Sequence, residues 1–353
     1  MVSRSTSLTS TSASIHTDAS RHVRAFRASR RGMVYVIIAL FFISVLAIVL
    51  LILIEPPRTD LERSAIERVN TMDQFLSDFE SDIDRAAYIS GFRALLAMEE
   101  YTAEKGVYFS NLSGPFQEAF VYGSINQTPY AILANATLRD YLVRTSSLAA
   151  RVGMSLNLTV TNVVIVQPDP WYFTVNITFA VNLTDQRGLA SWSYNVTHTT
   201  KIPVTGLRDP LYSVNTLGKI QIQVNPTNIS TFVGVPGNAN DTNATQLFIN
   251  LTNYRTNPNA PSLMNRFLGN LSASPQGIES IVPITRLSSQ GIAINDTLSV
   301  VDYLYFGVNI TNQSSIATAC HIQNLIFVPD WFKLDAAHLP LYNMSSLNYS
   351  GCP

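Results

Sequence analysis

The chain has 353 residues, a net charge of −1, 46% apolar residues and only 13% charged residues, about half the ~25% charge of an ordinary soluble domain. That balance excludes a disordered chain, and the missing basic excess argues against a nucleic-acid binder. Cys320 and Cys352 are the only cysteines, so a zinc framework is excluded as well.

Residues 1–32 are rich in Ser, Thr and Arg and hold one acid, Asp18. They read as a basic tail of the kind that anionic inner-leaflet lipid attracts. Residues 33–54 (MVYVIIALFFISVLAIVLLILI) then run for 22 residues without a charge, with Ser44 the only strongly polar side chain. At ~1.5 Å per residue such a helix spans roughly 33 Å, enough for a ~30 Å hydrocarbon core. A buried core helix would show a polar face. A cleaved secretory signal would be shorter and end in small residues, whereas this run ends in Glu55-Pro56-Pro57. Arg21, Arg24, Arg27, Arg30 and Arg31 precede the span; after it Arg58 is soon balanced by Asp60 and Glu62. The basic bias places the N-terminus in the cytoplasm and the rest of the chain outside.

Residues 58–105 carry 17 charges, 11 of them acidic. Leu61, Ala65, Val69, Met72, Leu76, Phe79, Ile83 and Ala86 recur at spacings of three and four, close to a coiled-coil seam. The expectation is a helical stalk whose distal part, with a wider apolar face from Ile89 to Met98, docks on a domain at 107–353. The seam could also pair stalks laterally. Within 107–353, a short helix is expected near 137–145. Strands are expected at about 156–166, 171–184, 190–203 and 218–224, with turns at Pro168-Asp169-Pro170 and Asp185-Gln186-Arg187-Gly188. Residues 225–297 read as loops with short ordered pieces, and a last strand pair is placed near 299–310 and 321–328. The predicted class is α+β: a transmembrane helix, a helical stalk and a β-rich, antiparallel, sandwich-like extracellular head.

The outer region is dense in N-x-[ST]. Excluding Pro-blocked Asn225, the sequons are Asn111, Asn126, Asn135, Asn157, Asn176, Asn182, Asn195, Asn228, Asn240, Asn243, Asn250, Asn270, Asn295, Asn309, Asn312, Asn343 and Asn348, 17 of 27 asparagines. Ser and Thr make up 65 of 353 residues, so chance would give about 5. None precedes the span, which points to a glycosylated outer surface. Alternation sharpens this. Around Asn157, Asn176, Asn182, Asn195 and Asn309 the neighbouring residues are apolar, placing these asparagines on the solvent face of half-buried strands. Residues 107–353 hold only 11 basic and 11 acidic residues, and glycans could supply the hydration that charges usually give. Cys320 and Cys352, both outside, are expected to form a disulfide closing a 33-residue loop, worth roughly 3–4 kcal/mol in the chain-entropy model.

No G-x-S-x-G, H-E-x-x-H, Walker, dinucleotide or EF-hand signature is present. In the outer region the histidines are His198, His321 and His338, and Cys320-His321 finds no clear further ligand. Asp330-Trp331-Phe332 and Tyr303, Tyr305 and Phe306 read as packing residues. The chain is therefore expected to have no catalytic, cofactor or metal site.

Two local features resemble known families. Arg30-Arg31-Gly32 followed by Met33 and an apolar helix resembles the class III signal of archaeal pilin-like proteins, cut after the Gly by a prepilin-type peptidase. It departs from the bacterial pilin pattern, which has Glu five residues after the cut, where Ile37 stands here. Residues 206–216 (GLRDPLYSVNT), 269–280 (GNLSASPQGIES) and 299–306 (SVVDYLYF) look like blocks in a family of archaeal membrane-anchored surface proteins. That resemblance implies an envelope protein and brings no activity or site residue with it. The expected function is a single-span surface glycoprotein with a structural, adhesive or interaction role. Its partners would be the membrane, other envelope proteins or a second stalk. One alternative is a pilin-like subunit cleaved between Gly32 and Met33; the absent acid and the Pro56-Pro57 break argue for an uncut anchor. A second alternative is an extracellular hydrolase or solute-binding head, which a polar pocket with convergent acids would favour.

Overall fold

The computed structural model describes residues 30–53, 58–227, 229, 232, 243–311, 320–322, 329–344 and 349–350. The chain divides into two compact units, residues 1–63 and 64–353.

In the first unit, α1 (Arg30–Leu53) is one uninterrupted helix. Its Gly32–Leu51 stretch is long and apolar enough to cross a membrane by length and composition, and none of it is buried within the protein. Leu40 and Phe42 stay 61% and 67% exposed. Apolar side chains left so bare in water would be strongly unfavourable, each costing ~1.5–3 kcal/mol relative to an apolar environment. Gly32 and Met33 lie inside this helix, and a Cβ added at Gly32 would meet open space.

Helix α2 (Arg58–Lys105) begins in the first unit and continues into the second as a single 48-residue helix. Its apolar seam does not serve a free stalk. Met72, Leu76, Phe79, Ile83 and Ala87 are buried in the core of the second unit, while Ala65 is half-buried and Val69 exposed. The spacing was that of a helix–helix seam, but the partner surface is the chain's own sheet. Gly106, at φ +63°, ends the helix in the left-handed conformation that a side chain disfavours.

After α2 come α3 (Ser113–Tyr122), the hairpin β1 (Ser124–Ile125) and β2 (Thr128–Pro129), and α4 (Leu138–Arg151). Thr137 and Asp140 form a capping box at the start of α4, each side chain bonded to the other's backbone amide. Strands β3 (Met154–Asp169), β4 (Tyr172–Asp185) and β5 (Ser191–Pro203) then build an antiparallel sheet in that order. Phe173, Val175, Ile177, Phe179, Val181 and Leu183 of β4 are all buried on one face. Helix α2 lies on this face: Phe79 meets Phe179 edge-on at 6.3 Å, and Tyr194 and Thr200 donate to Glu80 and to the Asp84 carbonyl at 2.9 and 3.0 Å.

The other face carries mainly Asn, Thr and Ser, with Val164, Val166 and Lys201 toward one end. Register pairs Asn157 with Asn182, Ala180 with Asn195, Thr178 with Thr197 and Asn176 with Thr199. No second sheet covers it among the described residues, so a sandwich is not formed; helix outweighs strand there, about 47% to 23%. The α+β class and the antiparallel pairing stand.

The rest of the unit consists of α5 (Pro210–Asn215), α6 (Asn243–Leu251), β6 (Tyr254–Thr256), α7 (Leu263–Phe267), β7 (Ile278–Ser280), α8 (Ile284–Ser289), α9 (Asp302–Thr311), β8 (Cys320–Ile322), β9 (Lys333–Leu334), α10 (His338–Leu341) and β10 (Tyr349–Ser350). Strand β6 pairs with β7, and β8 lies between β9 and β10. Two expected strands are different. Ile220, Ile222 and Val224 alternate inward as a strand would, yet Ile222 and Val224 bond the turn at residues 206–209, Ile220 bonds Thr216, and among the described residues none joins the main sheet. Residues 299–310 pass from a short extended piece into α9, where Tyr305 and Phe306 turn into the core. The β-branched and aromatic run favours a strand locally, and packing overrides it. Residues 323–328 of the last expected strand lie outside the described residues.

Candidate functional site

The three sequence blocks at 206–216, 269–280 and 299–306 converge on one side chain, Arg266, which is fully buried. It belongs to α7, whose start is capped by Ser262 accepting from the Asn265 amide at 3.2 Å. Its Nη1 donates to Asp209 Oδ2 at 2.5 Å and Asp302 Oδ2 at 2.8 Å, and its Nη2 to Asp302 Oδ1 and the Ile278 carbonyl. Asp302 also accepts from Ser280 N and Oγ at 3.0 and 2.7 Å. Asp209 accepts from the Leu211 amide and from Tyr254 OH, both at 2.9 Å. A buried guanidinium between two carboxylates is tolerated because the carboxylates gather further donors, although Arg266 Nε is buried without a partner among the described residues.

Strand β7 links this cluster to a second. Ser280 and Glu279 are successive residues and so face opposite ways. Ser280 meets Asp302; Glu279 Oε2 accepts from Asn257 Nδ2 at 2.5 Å and His338 Nε2 at 3.2 Å, and Oε1 from Tyr342 OH at 3.2 Å. His338 Nδ1 lies 2.7 Å from Asp335 Oδ2, and its Nε2 also lies 3.2 Å from Tyr303 OH. Burial alone would lower the His338 pKa, but the hydrogen bonds and charges of Asp335 and Glu279 outweigh it and raise it to about 9. The ring is thus an imidazolium that donates from both nitrogens. Asp335 is held below the usual carboxylate range despite its burial, by His338 and by Ser299, whose hydroxyl donates at 2.8 Å.

This second cluster forms the wall of a cavity of about 580 Å³, whose other sides come from residues 269–273 and from α9 and α10. Asn257, Tyr303, Asp335 and His338 line it from below; Asn259, Asn270 and Ser272 stand at its rim, exposed. The Ser299 hydroxyl is bound to Asp335 and not to His338, so no serine–imidazole relay is aligned. Among the described residues no set of three His, Cys, Asp or Glu side chains is placed to hold a metal. The arrangement can offer hydrogen bonds to a polar solute.

Elsewhere, Glu99 of α2 is 1% exposed, and among the described residues its carboxyl oxygens make no well-formed hydrogen bond, the Arg208 backbone amide giving only a weak one. Burial raises its pKa well above the usual range, and nearby Arg208 offsets only part of that.

Of the residues the sequence singled out, Asn111, Asn126, Asn135, Asn157, Asn182, Asn195, Asn243, Asn250, Asn270 and Asn295 are exposed, and Asn176 and Asn343 half-buried. Asn228, Asn240, Asn312 and Asn348 lie outside the described residues. Asn309 falls on α9, a helix, so the strand-face argument does not apply to it. Cys320 opens β8, while Cys352 lies outside the described residues, and no disulfide is present among those described. Arg266, Glu279 and Asp335 were not picked out from the sequence, and His338 was named there only as one of three outer histidines without a role. The only signal was that the three blocks each carry an acid, Asp209, Glu279 and Asp302, in a segment otherwise poor in charge.

No protein-family model matches the chain, and comparison with curated proteins and with solved structures gives no significant match.

Proposed function

We propose that this chain is a single-span surface glycoprotein of the archaeal envelope type. Residues 1–32 face the cytoplasm, α1 lies in the bilayer, and residues 64–353 form a glycosylated outer domain with an adhesive, structural or interaction role. The observation that carries this reading is the distribution of sequons. All follow α1, and among the described side chains none is buried. An unburied apolar helix with basic residues before it supports the same orientation. The reading includes a Cys320–Cys352 disulfide and an intact Gly32–Met33 bond. Protease added to intact cells should remove the domain and spare the tail, and mass spectrometry of native protein should find glycans at several exposed sequons. Protection of the domain, or bare sequons throughout, would overturn it.

A second reading, a solute-binding outer domain, is favoured by the cavity beside His338, where polar groups and acids converge. A pilin-like subunit cleaved after Gly32 draws on the junction sequence alone.

A further inference from the structure

The cavity beside His338 has the size of a small-molecule site, within the ~300–1,000 Å³ such sites occupy. Its charges are matched by their neighbours. His338 is held between Asp335 and Glu279, and Glu279, behind the lining, also pairs with Arg255 at 3.6 Å and receives Asn257 and Tyr342. An incoming anion finds no unpaired cation there, and an incoming cation finds no unpaired acid. What remains unspent is neutral. Among the described residues the Asn259 side-chain amide and the Ser272 hydroxyl make no hydrogen bond, Asn270 uses only its side-chain oxygen, accepting from the Ser272 backbone amide at 3.0 Å, and Tyr303 OH has one partner, His338, at 3.2 Å. Leu271 and Leu304 supply apolar wall next to these groups. Amides and hydroxyls beside an apolar strip suit a ring that carries hydroxyls on its edge and C–H groups on its face.

We propose that this cavity binds a neutral saccharide. The proposal rests on the solute-binding reading and names the ligand class for it. Two sources share that chemistry: a free or partner glycan, or the chain's own glycan, since Asn270 and Ser272 at the rim are the two ends of one sequon.

The test uses full-length protein in detergent from two sources: native membranes, with the Asn270 glycan mapped by mass spectrometry, and a host that does not glycosylate sequons. Binding is measured by calorimetry with glucose, mannose, galactose and N-acetylglucosamine, and with glutamate and inorganic phosphate as charged probes. Each probe is taken to about 10 mM, which detects affinities weaker than 1 mM. The unglycosylated protein is expected to bind at least one of the sugars. Asn259→Ala and Tyr303→Phe should each weaken that binding by about 5–10-fold, the loss of roughly one hydrogen bond. Asn259 is exposed, so its variant should melt with the wild type and separate binding from folding. Binding that appears only without the Asn270 glycan identifies the chain's own sugar as occupant; equal binding by both proteins identifies an outside one. Binding of glutamate or phosphate with no sugar overturns the saccharide assignment and leaves the solute-binding reading standing. Folded, unglycosylated protein that binds none of the probes overturns both.

Discussion

At His338 burial and charge pull the proton in opposite directions, and the two carboxylates win. Its folded pKa of about 9 stands above the ordinary 6.5. The stabilisation is therefore complete below pH 6.5 and is lost as pH rises toward 9, on the order of 3 kcal/mol in all. Melting of the wild type should fall across that window, and His338→Gln should lower stability at pH 6 while flattening the fall. Glu99 loses stability with rising pH too, but because its charged form is penalised rather than its neutral one. Its raised pKa means the buried acid stays protonated, with full stability below pH 4.5 and a growing cost as pH rises above it. Glu99→Gln should raise the melting temperature at neutral pH, by an amount that vanishes near pH 4. A variant no more stable than wild type at pH 8 would show that Glu99 is not desolvated as described. Arg266→Met should cost about 3–5 kcal/mol, because Asp209 and Asp302 would be left buried without their counter-charge. Chemical denaturation measures this directly.

Elements in this fold are shaped by ends and close approaches as much as by propensity. The capping box of α4 satisfies two otherwise orphaned donors, so Thr137→Ala should cost about 1 kcal/mol in the same denaturation experiment. That change also removes the Asn135 sequon, whereas Thr137→Ser keeps both the cap and the sequon and should be near neutral. Gly277 packs its Cα against the carbonyls of Ala260 and Asn257, where a Cβ would sit 2.1 and 2.2 Å away. The β6–β7 pair that positions Glu279 therefore depends on a missing side chain. Helix α2 was legible from its spacing alone, down to its ends. Strands β3, β4 and β5 were legible for the same reason, since one face of each is apolar. The strand expected at 299–310 failed because Val300, Val301, Tyr305 and Phe306 are buried by a turn from extended chain into helix, and a short apolar run does not distinguish the two.

For the whole molecule the open question is whether the chain is an anchor or a filament subunit. Met72 to Ile83, read as a surface seam, is spent in the core, which leaves Ala65, Ile66 and Val69 for any lateral pairing. N-terminal sequencing of native protein should find residues 1–32 attached. A mature chain beginning at Met33, lost when Gly32 is replaced by a bulky residue, would promote the pilin-like reading.

The sequence by itself determined the apolar span, the long helix, the three main strands and the outward asparagines. Each of these is a local pattern, repeated along the chain at the period of one element. The cavity and its charged floor were decided only by tertiary structure. Asp209, Arg266, Glu279, Asp302, Asp335 and His338 are scattered over some 130 positions and share no period. Singly, each reads as a surface charge. Only their burial together makes them a network, because a charge removed from water must find its partners wherever in the chain they lie.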